Sequence, residues 1–94
     1  MLLMFIVYSN AVDEEMVEIV TRFAGGYSKF TGVQGEGGRE PQLGTHVWPG
    51  INNCIMVAVE KDKKKYIYSH VETLKQQFPG VGISIFVTAL KEIM

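Results

Sequence analysis

Ninety-four residues leave room for one domain, 1–94, with one modest core, since a chain of this size buries roughly 60–70% of its unfolded surface. The hydrophobic share of 47% fills that core and leaves apolar side chains over for contact between subunits, while a net charge of −1 gives no general attraction to nucleic acid. The single cysteine, Cys54, excludes an internal disulfide framework and the multi-cysteine zinc motifs, and fits a reducing, cytoplasmic setting.

The chain opens on Leu2 to Tyr8, a continuous apolar run of the kind expected for a central strand buried on both faces. It is far shorter than the roughly 20 residues that span a bilayer and lacks the flanks of a signal peptide, so no membrane insertion is expected. Asp13, Glu14 and Glu15 then stand where the positive end of a helix dipole favours carboxylates. Met16, Ile19, Val20 and Phe23 follow at i, i+3, i+4 and i+7, one apolar helix face, which Gly25 and Gly26 stop. Tyr27 to Val33 is β-branched and aromatic enough for a second strand.

Between Gly35 and Gly50 lie five of the ten glycines and two of the three prolines, without periodicity. This reads as a long loop, and long loops in compact domains usually do something. Asn52 to Glu60 is the third strand, with Ile55, Val57 and Val59 on one face and Cys54, Met56 and Ala58 on the other. The basic run Lys61 to Lys65, interrupted by Asp62, leads into a second helix over Lys64 to Phe78 and reads as its solvated start. Ile67, Val71, Leu74 and Phe78 are its predicted buried stripe, and Pro79-Gly80 ends it. Ile83 to Leu90 is the last strand, alternating Ile83, Ile85, Val87 against Ser84, Phe86, Thr88.

The order β-α-β-(long loop)-β-α-β predicts an α+β, ferredoxin-like βαββαβ sandwich with one antiparallel sheet and two helices on one face. Both sets of strand side chains are largely apolar. The second sheet face is therefore expected to be covered by another subunit.

Several constellations carry candidate chemistry. The glycine-rich stretch Val33-Gln34-Gly35-Glu36-Gly37-Gly38-Arg39-Glu40-Pro41 offers converging backbone N–H groups and one guanidinium, a cradle for an anion, or else a flexible hairpin loop. It is neither a Walker motif nor a dinucleotide fingerprint, because no helix opens from it. Trp48, in a segment bounded by glycine and proline, is placed to stack on a ligand, anchor a neighbouring subunit or cap the core. His46, Cys54 and His70 are the borderline metal ligands, at a spacing that matches no metal signature. Cys54 in an apolar strand reads as a small core residue, and no paired acid and base suggests an enzyme.

Three segments resemble the PII superfamily of trimeric signalling proteins, and its short PII-like branch in particular. Thr31-Gly32-Val33-Gln34-Gly35-Glu36-Gly37 is similar to the entry of the PII T-loop. Gly44-Thr45-His46-Val47-Trp48-Pro49-Gly50-Ile51-Asn52 is similar to a stretch that marks the short PII-like proteins. The ending Gly80-Val81-Gly82-Ile83-Ser84-Ile85-Phe86-Val87-Thr88-Ala89-Leu90-Lys91-Glu92-Ile93 is similar to the B-loop and final strand. The resemblance implies a homotrimer with its sheets facing inward and an effector, such as an adenine nucleotide, in clefts between subunits. It also implies a partner protein, a transporter or a regulator, docked through the loop 35–49. The ligand-binding residues it implies are Gly35, Gly37, Gly38, Arg39, Trp48, Gly80, Val81 and Gly82. Val81 stands where the B-loop has Asp, no lysine follows it, and no tyrosine lies within 34–48 for uridylylation. A weaker likeness, of architecture alone, is to CutA. It implies the alternative of a metal-binding or metal-tolerance trimer, with His46, Cys54 and His70 as the ligands at hand.

Overall fold

A computed structural model describes residues 1–34 and 51–94. In chain order the elements are β1 (Leu2–Ser9), α1 (Asp13–Phe23), β2 (Ser28–Val33), β3 (Asn52–Val59), α2 (Lys64–Gln77) and β4 (Ile83–Ala89). A single 3-10 turn precedes each helix, Asn10–Val12 before α1 and Lys61–Lys63 before α2. The first of these turns is closed by the Ser9 hydroxyl, which accepts from the Ala11 N–H at 3.2 Å. The strands form one antiparallel sheet in the order β2-β3-β1-β4, an α+β fold with β1 and β3 at its centre. No helix among the described residues is long and apolar enough to cross a membrane.

Strand alternation decides which side chains meet the helices. Met4, Ile6 and Tyr8 from β1 and Ile55, Val57 and Val59 from β3 are fully or nearly fully buried. They pack with Met16, Ile19 and Val20 of α1 and Ile67, Val71 and Leu74 of α2, the stripes expected from the helical spacing. Phe78 departs from that expectation. It lies one residue past α2, is 40% exposed and takes φ −127° with ψ 74°. The following proline disfavours helical geometry at Phe78, so the i+4 spacing from Leu74 no longer aims it at the core.

The opposite sheet face has no layer over it among the described residues. The strand registers place Phe30, Cys54, Val7 and Ser84 in one row across it, Met56, Phe5 and Phe86 in the next, and Ala58, Leu3 and Thr88 beyond. Phe86 is 59% exposed and Phe30 50%.

Two glycines shape the end of the sheet where β2 stops and β4 begins. The β2–β3 register shifts between Phe30 and Val33, and Gly32 in that irregularity has φ +67°. The turn from α2 into β4 closes with the Val81 N–H donating to the Phe78 carbonyl at 3.2 Å, with Pro79 second and Gly80 third at φ +89°. Those are the features of a type II turn, whose third position favours glycine. Gly80→Ala is expected to cost about 1–2 kcal/mol, the strain of a left-handed alanine. Gly82 has neither a positive φ nor any described atom within 4 Å of where a Cβ would sit. Urea denaturation should therefore show Gly82→Ala within about 0.5 kcal/mol of the parent chain. Equal losses for the two variants would contradict this assignment of the turn.

Candidate functional site

A concavity lined by described residues opens at that same end of the sheet, with a volume of about 1000 Å³. This is at the upper end of the range typical of small-molecule sites, ~300–1,000 Å³. One wall is the end of β2, Gly32 to Gln34, with Ile51 and Asn52 at the entry of β3. The facing wall is the α2–β4 turn, Gln77 to Gly82, and Ser9 and Ala11 form the floor. Two backbone hydrogen bonds hold the walls to the end of β1. The Ser9 N–H donates to the Gly82 carbonyl at 3.1 Å, and the Asn10 N–H donates to the Ile51 carbonyl at 3.0 Å.

Beneath the cleft, on the helix side of the sheet, a partly buried polar knot fixes the strand ends. Tyr8 and Asn53 are register partners and both are buried. The Tyr8 hydroxyl donates to Asp13 Oδ1 at 2.6 Å and the Asn53 amide donates to the same oxygen at 3.0 Å. Lys29 Nζ reaches Asp13 Oδ2 at 2.9 Å. One carboxylate thus joins β1, α1, β2 and β3. Burial, and then the bond to Asp13, push the Tyr8 phenol well above its ordinary range. The donated Tyr8 and Lys29 hydrogen bonds hold the Asp13 carboxyl below its usual value despite partial desolvation.

The expected ligand residues fall into two groups. Gly80, Val81 and Gly82 line the cleft, whereas Gly35, Gly37, Gly38, Arg39, His46 and Trp48 lie outside the described residues. The Val81 N–H is already committed to Phe78, so it is not among the amides free to meet a ligand. Cys54 and His70 do not come together within one chain. Cys54 lies on the open sheet face, opposite Val7 and Phe30, and burial pushes its thiol up, against thiolate formation. His70 is on the helix layer, its ring 5.0 Å from that of Phe23, with Nδ1 2.9 Å from the Tyr66 carbonyl and Nε2 3.4 Å from Arg22. No cluster of three or more His, Cys, Asp or Glu side chains suited to a metal occurs among the described residues.

No protein-family model matches the chain, and no curated protein matches it by sequence. Solved structures do match. A PII-like signalling protein of Thermus thermophilus is 25% identical, with a TM-score of 0.65 over 93% of this chain and 83% of its own. The chain shares its fold with PII-like proteins. CPII, a nitrogen regulatory PII-like protein of Thiomonas intermedia solved with ADP, AMP and bicarbonate, matches at a TM-score of 0.68 and 18% identity, over 93% of this chain and 82% of its own. A protein of Shewanella baltica from a family of undescribed role shares the fold at a TM-score of 0.57 and 13% identity, over 99% of this chain and 93% of its own.

Within this PII-like fold the sequence reading missed three contributors. Phe78 lines the cleft rather than the core, a consequence of the break at Pro79, and Gln77 lines it beside Phe78. Asp13 was assigned to the helix dipole, whereas its main contacts are a tyrosine five residues earlier and an asparagine forty residues later.

Asp13→Ala is expected to destabilise the fold by about 1–3 kcal/mol, because it strands the buried Tyr8 hydroxyl and Asn53 amide. The pH dependence has a definite sign. The folded carboxyl titrates below its unfolded value, so its contribution is complete above the unfolded pKa, near 4, and is lost as pH falls through the lower folded one. Denaturation midpoints measured from neutrality into that acid range should fall for the parent chain and fall less steeply for Asp13→Ala. Parallel acid limbs would contradict the role given to Asp13.

Proposed function

We propose that this chain is a PII-like regulatory protein that works by binding. In this reading an adenine nucleotide enters the cleft between the end of β2 and the Gln77–Gly82 turn. A partner protein, a transporter or a regulator, docks through the segment 35–49, which joins the two strands of the cleft's first wall. The chain assembles as a homotrimer through the open sheet face and acts in the cytoplasm. The observation that carries the reading is the cleft itself, formed where the glycine-bearing exit of β2 meets the glycine turn before β4. The likeness to the Thermus protein supports the signalling class, and the ADP and AMP held by CPII support the ligand. The reading requires no bond to be made or broken. A CutA-like metal role receives no support from the described residues, since Cys54 and His70 lie on opposite sides of the sheet.

Gly82 provides a test that separates binding from folding, because a side chain there enters the cleft without backbone strain. Calorimetric titration with AMP and ADP should give saturable binding to the parent chain. Gly82→Leu should weaken it at least about tenfold, or about 1.4 kcal/mol, with an unchanged urea midpoint. Equal affinity in the two proteins would place the ligand elsewhere, and absence of binding by both nucleotides would overturn the reading.

A further inference from the structure

We infer that Lys29 is a positioning residue for the cleft: through Asp13 it sets where the β2 wall stands, and with that the affinity for the ligand. The inference rests on the nucleotide reading above and adds a side chain that acts on the walls from beside them. The two oxygens of the Asp13 carboxylate are divided between the centre and the edge of the sheet. Oδ1 accepts from Tyr8 on β1 and Asn53 on β3, the two central strands, whereas Oδ2 meets Lys29 Nζ on the edge strand β2 at 2.9 Å. Losing the Oδ1 contacts would strand donors of two buried residues, a cost borne by the whole fold. The Oδ2 contact is different. Its Lys29 and Asp13 side chains are 30% and 27% exposed, so water can take the place of the ammonium, and what is released is the edge strand.

The place of Lys29 in the strand gives that release its consequence. Lys29 faces Ile55 and Phe30 faces Cys54, and the next pair is Val33 with Asn52, so between these pairs β2 carries one residue more than β3. Such a bulge interrupts the ladder and bends the strand that holds it. Gly32, at φ +67°, lies in this bulge, and Gly32 to Gln34 are the β2 wall of the cleft. The wall is thus aimed by the regular residues before it, from which Lys29 reaches into the helix layer. On its other side the pair is tied to the floor. The Asp13 N–H donates to the Asn10 carbonyl, closing the turn that contains Ala11, and the Asn10 N–H donates to the Ile51 carbonyl at 3.0 Å. Ala11 and Ile51 both line the cleft. The Lys29–Asp13 pair therefore spans from the β2 wall to the floor, and its loss lets one move against the other. Local opening of this kind needs less free energy than global unfolding.

Lys29→Met keeps an aliphatic stem and removes the charge, whereas Lys29→Arg keeps the charge. Amide hydrogen exchange on the full chain, with calorimetric titration of AMP, compares both variants with the parent. Lys29→Met is expected to speed exchange at residues 30–33 and 52–54 about tenfold, as for the loss of one charge-assisted hydrogen bond, while the α2 amides of Ile67 and Val71 keep the parent rate. AMP affinity should fall by about the same factor, about tenfold, and Lys29→Arg should restore both. Exchange that is unchanged, or that speeds equally in α2, would overturn the inference. So would an unchanged AMP affinity in Lys29→Met, or a loss in Lys29→Arg as large as in Lys29→Met. If the parent chain binds no AMP, the nucleotide reading fails, and the exchange pattern alone decides whether Lys29 holds the wall. Local acceleration then supports it, and unchanged or uniform rates overturn it.

Discussion

The strand β1 is apolar on both sides, and among the described residues helices cover only one of them. Met4, Ile6 and Tyr8 point into the core that α1 and α2 close, and all three are fully buried. Leu3, Phe5 and Val7 point the other way and continue sideways into Cys54, Met56 and Ala58 of β3 and Phe86 of β4. A contiguous apolar sheet of this kind is uncommon on a monomer, because covering it removes apolar surface from water, which is favourable. Covering it with copies of the same sheet removes that surface without requiring a third layer in each chain. The same step would bring cleft-bearing sheet ends of neighbouring chains near one another, as the trimeric reading requires.

The cleft owes its shape to a different kind of constraint, a polar one. Tyr8 and Asn53 would each be left with an unmet hydrogen bond at the end of a buried strand, and Asp13 meets both with one oxygen. Lys29 then neutralises the other oxygen from the edge strand β2. Ser9 and Asn52, the next register pair outward, are thereby fixed in position, and they belong to the cleft. The two glycine irregularities, at Gly32 and Gly80, turn the flanking chain around this pinned end. Packing thus sets the sheet, and one carboxylate sets where its cleft-bearing end stands.

Much of this was legible in the sequence because it follows from periodicity. The alternation in β3 separates Ile55, Val57 and Val59 from Cys54, Met56 and Ala58, and the structure keeps the two sets on opposite faces. The helix stripes hold for the same reason, up to the point where Pro79 intervenes and Phe78 leaves its predicted place. Periodicity says nothing of contacts between distant residues, so the meeting of Asp13 with Asn53 left no local trace. The same limit applies to Cys54 and His70, whose chemistry made them companions although the sheet lies between them. Gly80 to Gly82 were singled out by a resemblance to PII proteins, and the structure places them on the wall of the cleft, where their role as ligand contacts is a proposal. The site expectations at Gly35, Gly37, Gly38, Arg39 and Trp48 lie outside the described residues.

The central claim is that the open sheet face is buried by copies of this chain, with the ligand clefts belonging to the assembly. Light scattering on the gel-filtration peak at micromolar concentration measures this directly. The account predicts a mass three times the 10.5 kDa of the chain. A homogeneous species of one chain mass, stable and free of aggregation, would contradict it.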